Sequence, residues 1–570
     1  MNTRLIALAG VFALAGLLLA ARVAYIQLIN DGQYKAEAKD EHYGQQVVRA
    51  ARGAILDRNG YPLATTVDAY DVYVNRADWT DDTAALKGAA IIAPAVGRQP
   101  ADLISEVRKD TTDLNGLYLA YSGLDFDKGT ALQKTDAPGL RLVETTRRQY
   151  PEGDLASNLL GFVGRDHTGL TGIEHDFDQE LGGVPGTIYF ERDSIGNRLS
   201  LGTERTGQQA TPGGNIQLTV DRYIQKLVED ELDKQIAKTG ALGGTIIVMQ
   251  PKTGAVLAMA SRPGFKLSQL NLNDPNQALF RNRAVTDVYE PGSVFKLITA
   301  ATGIDLGLIT PNSTYNDTGY AQIGTSTIRN WDYSTNGITS VTQILQKSLN
   351  TGAVWMSGLI GADKFYASVK KFGIGAPTNI GLSGEPGGIV RTNSDPNWSQ
   401  VDLADNSFGQ GIAATPLQVI TAISSLVNGG KLMRPYIVQE MDTPEGAKTF
   451  GPQVVRQTVK PETAAQVADM MNQVVEGVVG EQAQIAGYHV GGKTGTTTGA
   501  TLADGTVHDG NIASFVGFGP MRDPQMIMLV KLDYKDDILG GEAAAPVFHD
   551  LAPSIFAYLG VTPDDPHAAH

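Results

Sequence analysis

Hydrophobic and polar positions divide the chain into four stretches. From Leu5 to Ala21 no charge interrupts an apolar run, and beyond Arg22 residues 23–29 keep the same character. That length lies near the lower limit for a bilayer-spanning helix, and Arg22 extends it if its long stem lets the guanidinium snorkel to the interface. A cleavable signal peptide is the rival, with Ala20 and Ala21 as small residues at a cleavage site. Apolar sequence continuing to Tyr25 and Ile29 favours an uncleaved anchor over residues 1–30. Residues 31–46 are polar and predict a helix or stalk. From about 47 to 212, short strand-like runs such as 63–74 and 139–143 alternate with Gly and Asp turns. They predict a mixed domain over 31–212 that ends at Thr211-Pro212-Gly213-Gly214.

Past that boundary the pattern predicts a strand at 216–220, a helix from Asp221 to about Lys238, and a hairpin of residues 245–249 and 255–260. At the far end 512–519 and 525–532 read as paired strands and 545–558 as a closing helix. Strands at both ends with helices between them predict an α+β domain over 213–559. Residues 560–570, rich in Pro, Asp and His, read as a solvated tail.

Composition narrows the function. At 570 residues the chain exceeds one ordinary core. A formal charge of -15 argues against a nucleic-acid partner, which needs a basic face. Without cysteine there is neither a disulfide nor a thiolate metal site, a composition compatible with an oxidising exterior. The eight histidines show no metal-ligand spacing beyond His567 and His570, so no metal or other cofactor is expected.

Three short motifs carry the chemistry: Ser293-Val294-Phe295-Lys296, Ser348-Leu349-Asn350 and Lys493-Thr494-Gly495-Thr496. Each alone is cheap. Lys-Thr-Gly also occurs at 238–240, where Gly ends a helical pattern, and at 252–254, between two strand-like runs, where it reads as a hairpin turn. Ser368 to Lys371 repeats the Ser-x-x-Lys spacing inside an amphipathic stretch, with no Ser-x-Asn before Lys493, and Ser334-Thr335-Asn336-Gly337 reads as a turn. Ser348, by contrast, closes a segment whose Val341, Ile344 and Leu345 have helical spacing.

The residue types make sense together. A serine hydroxyl attacks a carbonyl only when a base takes its proton, and Lys296, one turn on from Ser293, lies within reach. Lysine serves as a base only when burial and a second cation lower its pKa, and Lys493 is the natural second cation. Glu290-Pro291-Gly292 followed by an apolar run predicts a buried helix starting near Ser293, with backbone N–H groups close by for an oxyanion. Ser348 would relay protons to a leaving amine, Asn350 would bond a substrate amide, and a strand carrying 493–496 could pair with an extended peptide and its terminal carboxylate.

In this order the motifs resemble those of serine β-lactamases and penicillin-binding proteins. Further stretches resemble class B penicillin-binding proteins: Arg52-Gly53-Ala54-Ile55-Leu56-Asp57, Arg148-Gln149-Tyr150-Pro151, Ile173-Glu174, Ser407-Phe408-Gly409-Gln410-Gly411 and Ser514-Phe515-Val516-Gly517-Phe518. The resemblance runs from the anchor to about Leu559. It implies a transpeptidase fold, an antiparallel sheet covered by helices, behind an elongated pedestal and one transmembrane helix, with a short cytoplasmic end and an extracytoplasmic body. It makes Ser293 the acylated nucleophile, Lys296 its base, Ser348 and Asn350 the second motif, and Lys493, Thr494 and Gly495 the third. The N–H groups of Ser293 and Thr496 would form the oxyanion hole. Trp331 resembles an aromatic at the cleft wall, with packing as the alternative role. Leu349 and the threonines after Gly495 depart mildly from the pattern.

The implied activity is peptidoglycan D,D-transpeptidation of D-Ala-D-Ala stem peptides through a Ser293 acyl-enzyme that β-lactams also form. Implied partners are a polytopic glycosyltransferase of the shape, elongation, division and sporulation family and other cell-wall assembly proteins, with residues 282–287, 540–541 and 545–548 leaning toward division. A D,D-carboxypeptidase or β-lactamase would send the acyl group to water. A β-lactam-sensing receptor would carry several membrane spans, and a structural protein would carry a degenerate motif set.

Overall fold

The computed structural model describes residues 2–29, 43–79, 81–110, 116–191, 204–270, 277–477, 480–498, 510–536 and 538–564. They form two compact units, one of Met1–Arg52 with Gly182–Gly213, the other of Gly53–Leu181 with Gly214–His570.

In the first unit, α1 (Asn2–Ala24) runs into a π-helical turn at Tyr25–Ile29, with its apolar side chains exposed. Residues Thr3–Gln27 are long and apolar enough to cross a membrane. The same unit holds an antiparallel sheet of β1 (Tyr43–Val48), β2 (Gly186–Glu191) and β3 (Glu204–Gln208). Residues 43–46, expected to end the stalk, are therefore strand, because β1 pairs along its whole length with β2; residues 31–42 lie outside the described residues.

The second unit opens with long antiparallel strands, Pro62–Asn75 against both Leu117–Asp125 and Leu140–Gln149. Three sequence motifs meet beside them: buried Arg148 donates from Nε to Glu174 Oε1 at 2.7 Å and from Nη1 to the Gly53 carbonyl at 2.7 Å. This sheet continues through Ile55–Leu56 and Ile216–Leu218 to Val438–Thr443. Ile55, Leu63, Leu159, Leu160 and Ile173 share a core with residues beyond 214, while the residues from Tyr70 to Leu132 form a core of their own.

The central sheet has five antiparallel strands: β4 (Gly243–Met249), β5 (Val256–Arg262), β6 (Gly491–Thr498), β7 (Asn511–Gly519) and β8 (Met526–Asp533), in the order β5-β4-β8-β7-β6. Every residue of β4, β7 and β8 is buried, so both faces are covered. Alternation sorts them. Ile246, Val248, Phe515 and Met528 pack against α2 (Arg222–Thr239) and the closing helix Ala545–Tyr558, while Ile247, Val516 and Leu529 belong to the core on the other face, which includes the helix Pro416–Leu426 and the helices that carry the first two motifs. Each such side chain contributes about 1.5–3 kcal/mol by leaving water. Strand β6, which carries the third motif, is left on the sheet's edge.

Candidate active site

Gly292–Phe295 form a 3-10 turn, and α3 (Lys296–Asp305) begins only at the lysine. The helix start expected near Ser293 is therefore this tighter turn, in which residues three apart eclipse one another. That brings Lys296 Nζ to 2.9 Å from Ser293 Oγ. Gly292 has φ +58, and a Cβ there would stand 2.7 Å from the Thr496 carbonyl, so the Ser293 turn lies against β6.

The second motif sits at a helix junction. Ser340 caps α4 (Val341–Lys347) in a reciprocal arrangement with Gln343, and the helix ends at Ser348, whose φ of 55 is left-handed. Such a conformation costs a non-glycine residue roughly 1–3 kcal/mol. It turns the chain sharply into α5 (Asn350–Ile360), with buried Leu349 in between, and aims both Ser348 and Asn350 at Lys296.

Lys296 Nζ lies 2.6 Å from the Ser348 carbonyl, 2.8 Å from Asn350 Oδ1 and 3.3 Å from Ser348 Oγ. Lys493 Nζ stands 3.0 Å from the same Ser348 Oγ and 3.1 Å from the Thr494 carbonyl. Both lysines are fully buried, and among the described residues neither has a carboxylate in contact. Burial holds Lys296 well below the ordinary lysine range, and the charge of Lys493 lowers it further. Burial also brings Lys493 down to about 7. A neutral Lys296 has two protons, for the Ser348 carbonyl and Asn350 Oδ1, and a lone pair free for the Ser293 O–H. The geometry thus fits a base rather than a trapped cation.

The remaining expected residues surround this centre. Thr494 and Gly495 are buried in β6, and Thr496 Oγ1 accepts from the Gly540 N–H at 3.0 Å. Trp331 is 47% exposed, with Nε1 donating to the Lys347 carbonyl, so it is not a packed core residue. Asn350, expected to meet a substrate amide, has both arms engaged here, with Nδ2 on the Arg329 carbonyl at 3.0 Å. Three decoys fall elsewhere: Gly240 ends α2, Thr253 lies in the β4–β5 turn, and Ser368 Oγ bonds Thr302 Oγ1 in the core; the fourth, Ser334–Asn336, lies beside the second motif, where Asn336 Oδ1 accepts from Lys347 Nζ at 2.9 Å. The sequence reading missed buried Asp317 and Asn330 behind the second motif; isolated polar residues in a loop carry no periodic signal.

The penicillin binding protein transpeptidase domain matches residues 244–552, and the penicillin-binding protein dimerisation domain matches residues 47–218. The chain belongs to the class B penicillin-binding protein family. Stage V sporulation protein D of Bacillus subtilis is 32% identical over 96% of this chain and 84% of its own length. The peptidoglycan D,D-transpeptidase FtsI of Escherichia coli is 31% identical over 98% and 92%. Among solved structures, penicillin binding protein 2X from Streptococcus thermophilus superposes with a TM-score of 0.73 at 26% identity, covering 91% of this chain and 81% of that one. Penicillin binding protein 3 from Mycobacterium tuberculosis, solved with aztreonam, gives 0.69 at 26% identity over 91% and 99%. The chain is a peptidoglycan D,D-transpeptidase, a serine-type acyltransferase, and its apolar N-terminal helix fits a membrane anchor.

Proposed function

We propose that Ser293 is the residue acylated by both the stem peptide and β-lactams, with Lys296 as its general base. The observation that carries this reading is the contact of buried Lys296 Nζ with Ser293 Oγ at 2.9 Å, with Lys493 joined to the pair through Ser348. Ser293 attacks the D-Ala-D-Ala carbonyl as Lys296 takes its proton. The Ser293 and Thr496 N–H groups hold the oxyanion, and D-alanine departs on a proton returned through Ser348. An amine on a neighbouring strand then takes the acyl group. The free edge of β6 receives the extended peptide by strand addition, where Lys493, Thr494 and Gly495 meet its carboxylate. Trp331 borders the cleft.

Lys493 serves two ends in this scheme, which gives a test. In Lys493→Ala the substrate or inhibitor carboxylate loses a partner, and the charge that helps depress Lys296 is gone. The Lys296 pKa therefore rises, and the acid limb of the acylation profile moves to higher pH. Second-order acylation by a labelled penicillin should slow on the order of 10²-fold at neutral pH, with label still on Ser293. An unchanged rate across neutral pH would refute both roles.

The body faces the outside of the cytoplasmic membrane, and a polytopic glycosyltransferase of the shape, elongation, division and sporulation family supplies the glycan strands, at division rather than elongation sites. Packing between membrane helices depends on shape and small-residue contacts rather than hydrophobicity. Chains lacking residues 1–30 should keep penicillin acylation yet fail to support growth when they replace the full chain. Exchange for an unrelated anchor should rescue only in part; full rescue would show that the helix tethers without recognising a partner.

A further inference from the structure

Behind the second motif lies a carboxylate that none of the three motifs contains. Asp317 is 1% exposed and ends a short strand, Thr314–Asp317, paired with Gly337–Ser340. Its Oδ1 accepts from the Gly319 N–H at 3.0 Å and the Thr351 hydroxyl at 2.9 Å. Oδ2 accepts from the Asn336 N–H at 3.1 Å and Asn336 Nδ2 at 2.8 Å, and Asn330 Nδ2 lies 3.2 and 3.0 Å from the two oxygens. All five donors are neutral. Burial works against the charge, but these hydrogen bonds prevail and keep the carboxyl below its ordinary range. An ionised group in such a place is costly unless nearly every lone pair is met, so the donors are held to fixed positions.

What they hold is the second motif. Thr351 follows Asn350 in the first turn of α5, and its N–H donates to Asn330 Oδ1 at 3.3 Å. Asn330 follows Arg329, whose carbonyl receives Asn350 Nδ2, and Trp331 next in the loop donates to the Lys347 carbonyl. Asn336 Oδ1 accepts from Lys347 Nζ at 2.9 Å. The loop from 329 to 336 and the α4–α5 junction are thereby tied to one anion from both sides. The loop contains Tyr333 at φ 58 and 78% exposed, a conformation that persists only where the surroundings over-determine it.

We infer that Asp317 is a positioning residue for transpeptidation: its carboxylate locks the 329–336 loop to the start of α5 so that Asn350 Oδ1 meets the Lys296 amine and leaves its lone pair aimed at Ser293. This rests on the catalytic reading of Lys296 and Ser293 given above. A merely architectural Asp317 would affect melting alone. A positioning Asp317 sets how well Lys296 works, because a shift of about 1 Å in a reacting group can cost on the order of 10²-fold in rate.

The test uses the detergent-solubilised full chain and a fluorescent penicillin, with acylation rate constant and non-covalent affinity resolved by varying ligand concentration. Asp317→Asn should lower the rate constant on the order of 10²-fold while affinity, set by β6, stays close to that of the parent chain. Its acid limb should move to lower pH, since a protonated Lys296 deprived of the Asn350 acceptor is less stable; Lys493, the other titrating group facing Lys296, is untouched. Thr351→Val, which removes the hydroxyl that joins α5 to Asp317 and Asn330 and meets the Tyr315 hydroxyl but leaves the carboxylate in place, should give a smaller loss in the same constant, restored by Thr351→Ser. An unchanged rate constant and pH profile in Asp317→Asn, or a loss confined to affinity, would overturn the inference. Should that variant not fold, Thr351→Val decides: normal acylation, or a loss that Thr351→Ser does not repair, overturns it as well. Ser293→Ala run alongside separates the two readings, because label persisting there removes the site assignment whatever Asp317 does.

Discussion

Lys296→Arg is expected to lose penicillin acylation almost as completely as Ser293→Ala, although it keeps a long basic side chain. Lys296 Nζ has room for two acceptors, the Ser348 carbonyl and Asn350 Oδ1, plus the Ser293 hydroxyl, all within 2.9 Å. Burial and the charge of Lys493 keep the amine neutral enough to take a proton. A guanidinium stays protonated at any accessible pH and has no lone pair to offer. Removing a positioned general base costs roughly 10²–10⁴-fold. Lys296 is fully buried, so the larger fork must displace its neighbours, which pushes the loss toward the upper end. The measurement is the second-order acylation rate of the full chain, with mass spectrometry locating the label. Arginine at 296 supporting acylation within about tenfold of the parent would move the base elsewhere. Labelling of Ser293→Ala would remove the nucleophile from the scheme.

The central sheet and its closing helix were legible because their signals are local and periodic. The closing helix is observed at Ala545–Tyr558, where the pattern places it, and β7 begins one residue before its expected start. Every residue of β7 is buried, and the helix buries one face, including Phe548, Leu551, Ala552, Ile555 and Phe556, at helical spacing. The motif residues were legible for another reason: the chemistry restricts which types can stand three apart, and chain order removed the decoys. Geometry that depends on distant backbone was not legible. Ser348 in the left-handed region and the 3-10 turn at Gly292–Phe295 arise where segments far apart in sequence press together, and the five donors around Asp317 come from non-repetitive loop residues and the start of α5. Residues 43–46 were misread for a related reason. Their polarity gave no hint that residues 43–48 would find a strand partner some 140 residues later, at 186–191.

Gly409→Ala should inactivate the enzyme through such a distant contact. Gly409 lies in Ser407-Phe408-Gly409-Gln410-Gly411, touches no reacting atom, and has φ +82, where an L side chain is strained. Its carbonyl accepts the Gly292 N–H at 3.1 Å, bracing the residue just before the nucleophile. A Cβ built at 409 would stand 2.3 Å from the Gly292 carbonyl oxygen, 2.8 Å from its nitrogen and 2.8 Å from Phe295 Cβ. Two of these neighbours are backbone and cannot rotate away, so the 3-10 turn itself must shift. On its other side Gly292 is already packed against the Thr496 carbonyl, which leaves no free direction. The strain is worth about 1–3 kcal/mol of stability. Catalysis suffers more, since Ser293 leaves both the Lys296 amine and the oxyanion N–H groups when the turn moves. Acylation should fall on the order of 10²-fold or more, with the melting temperature lowered but folding intact. The second-order penicillin acylation rate and a thermal melt of the same sample check both parts. A variant that melts lower yet acylates at the parent rate would show that the turn gives way without carrying Ser293 with it.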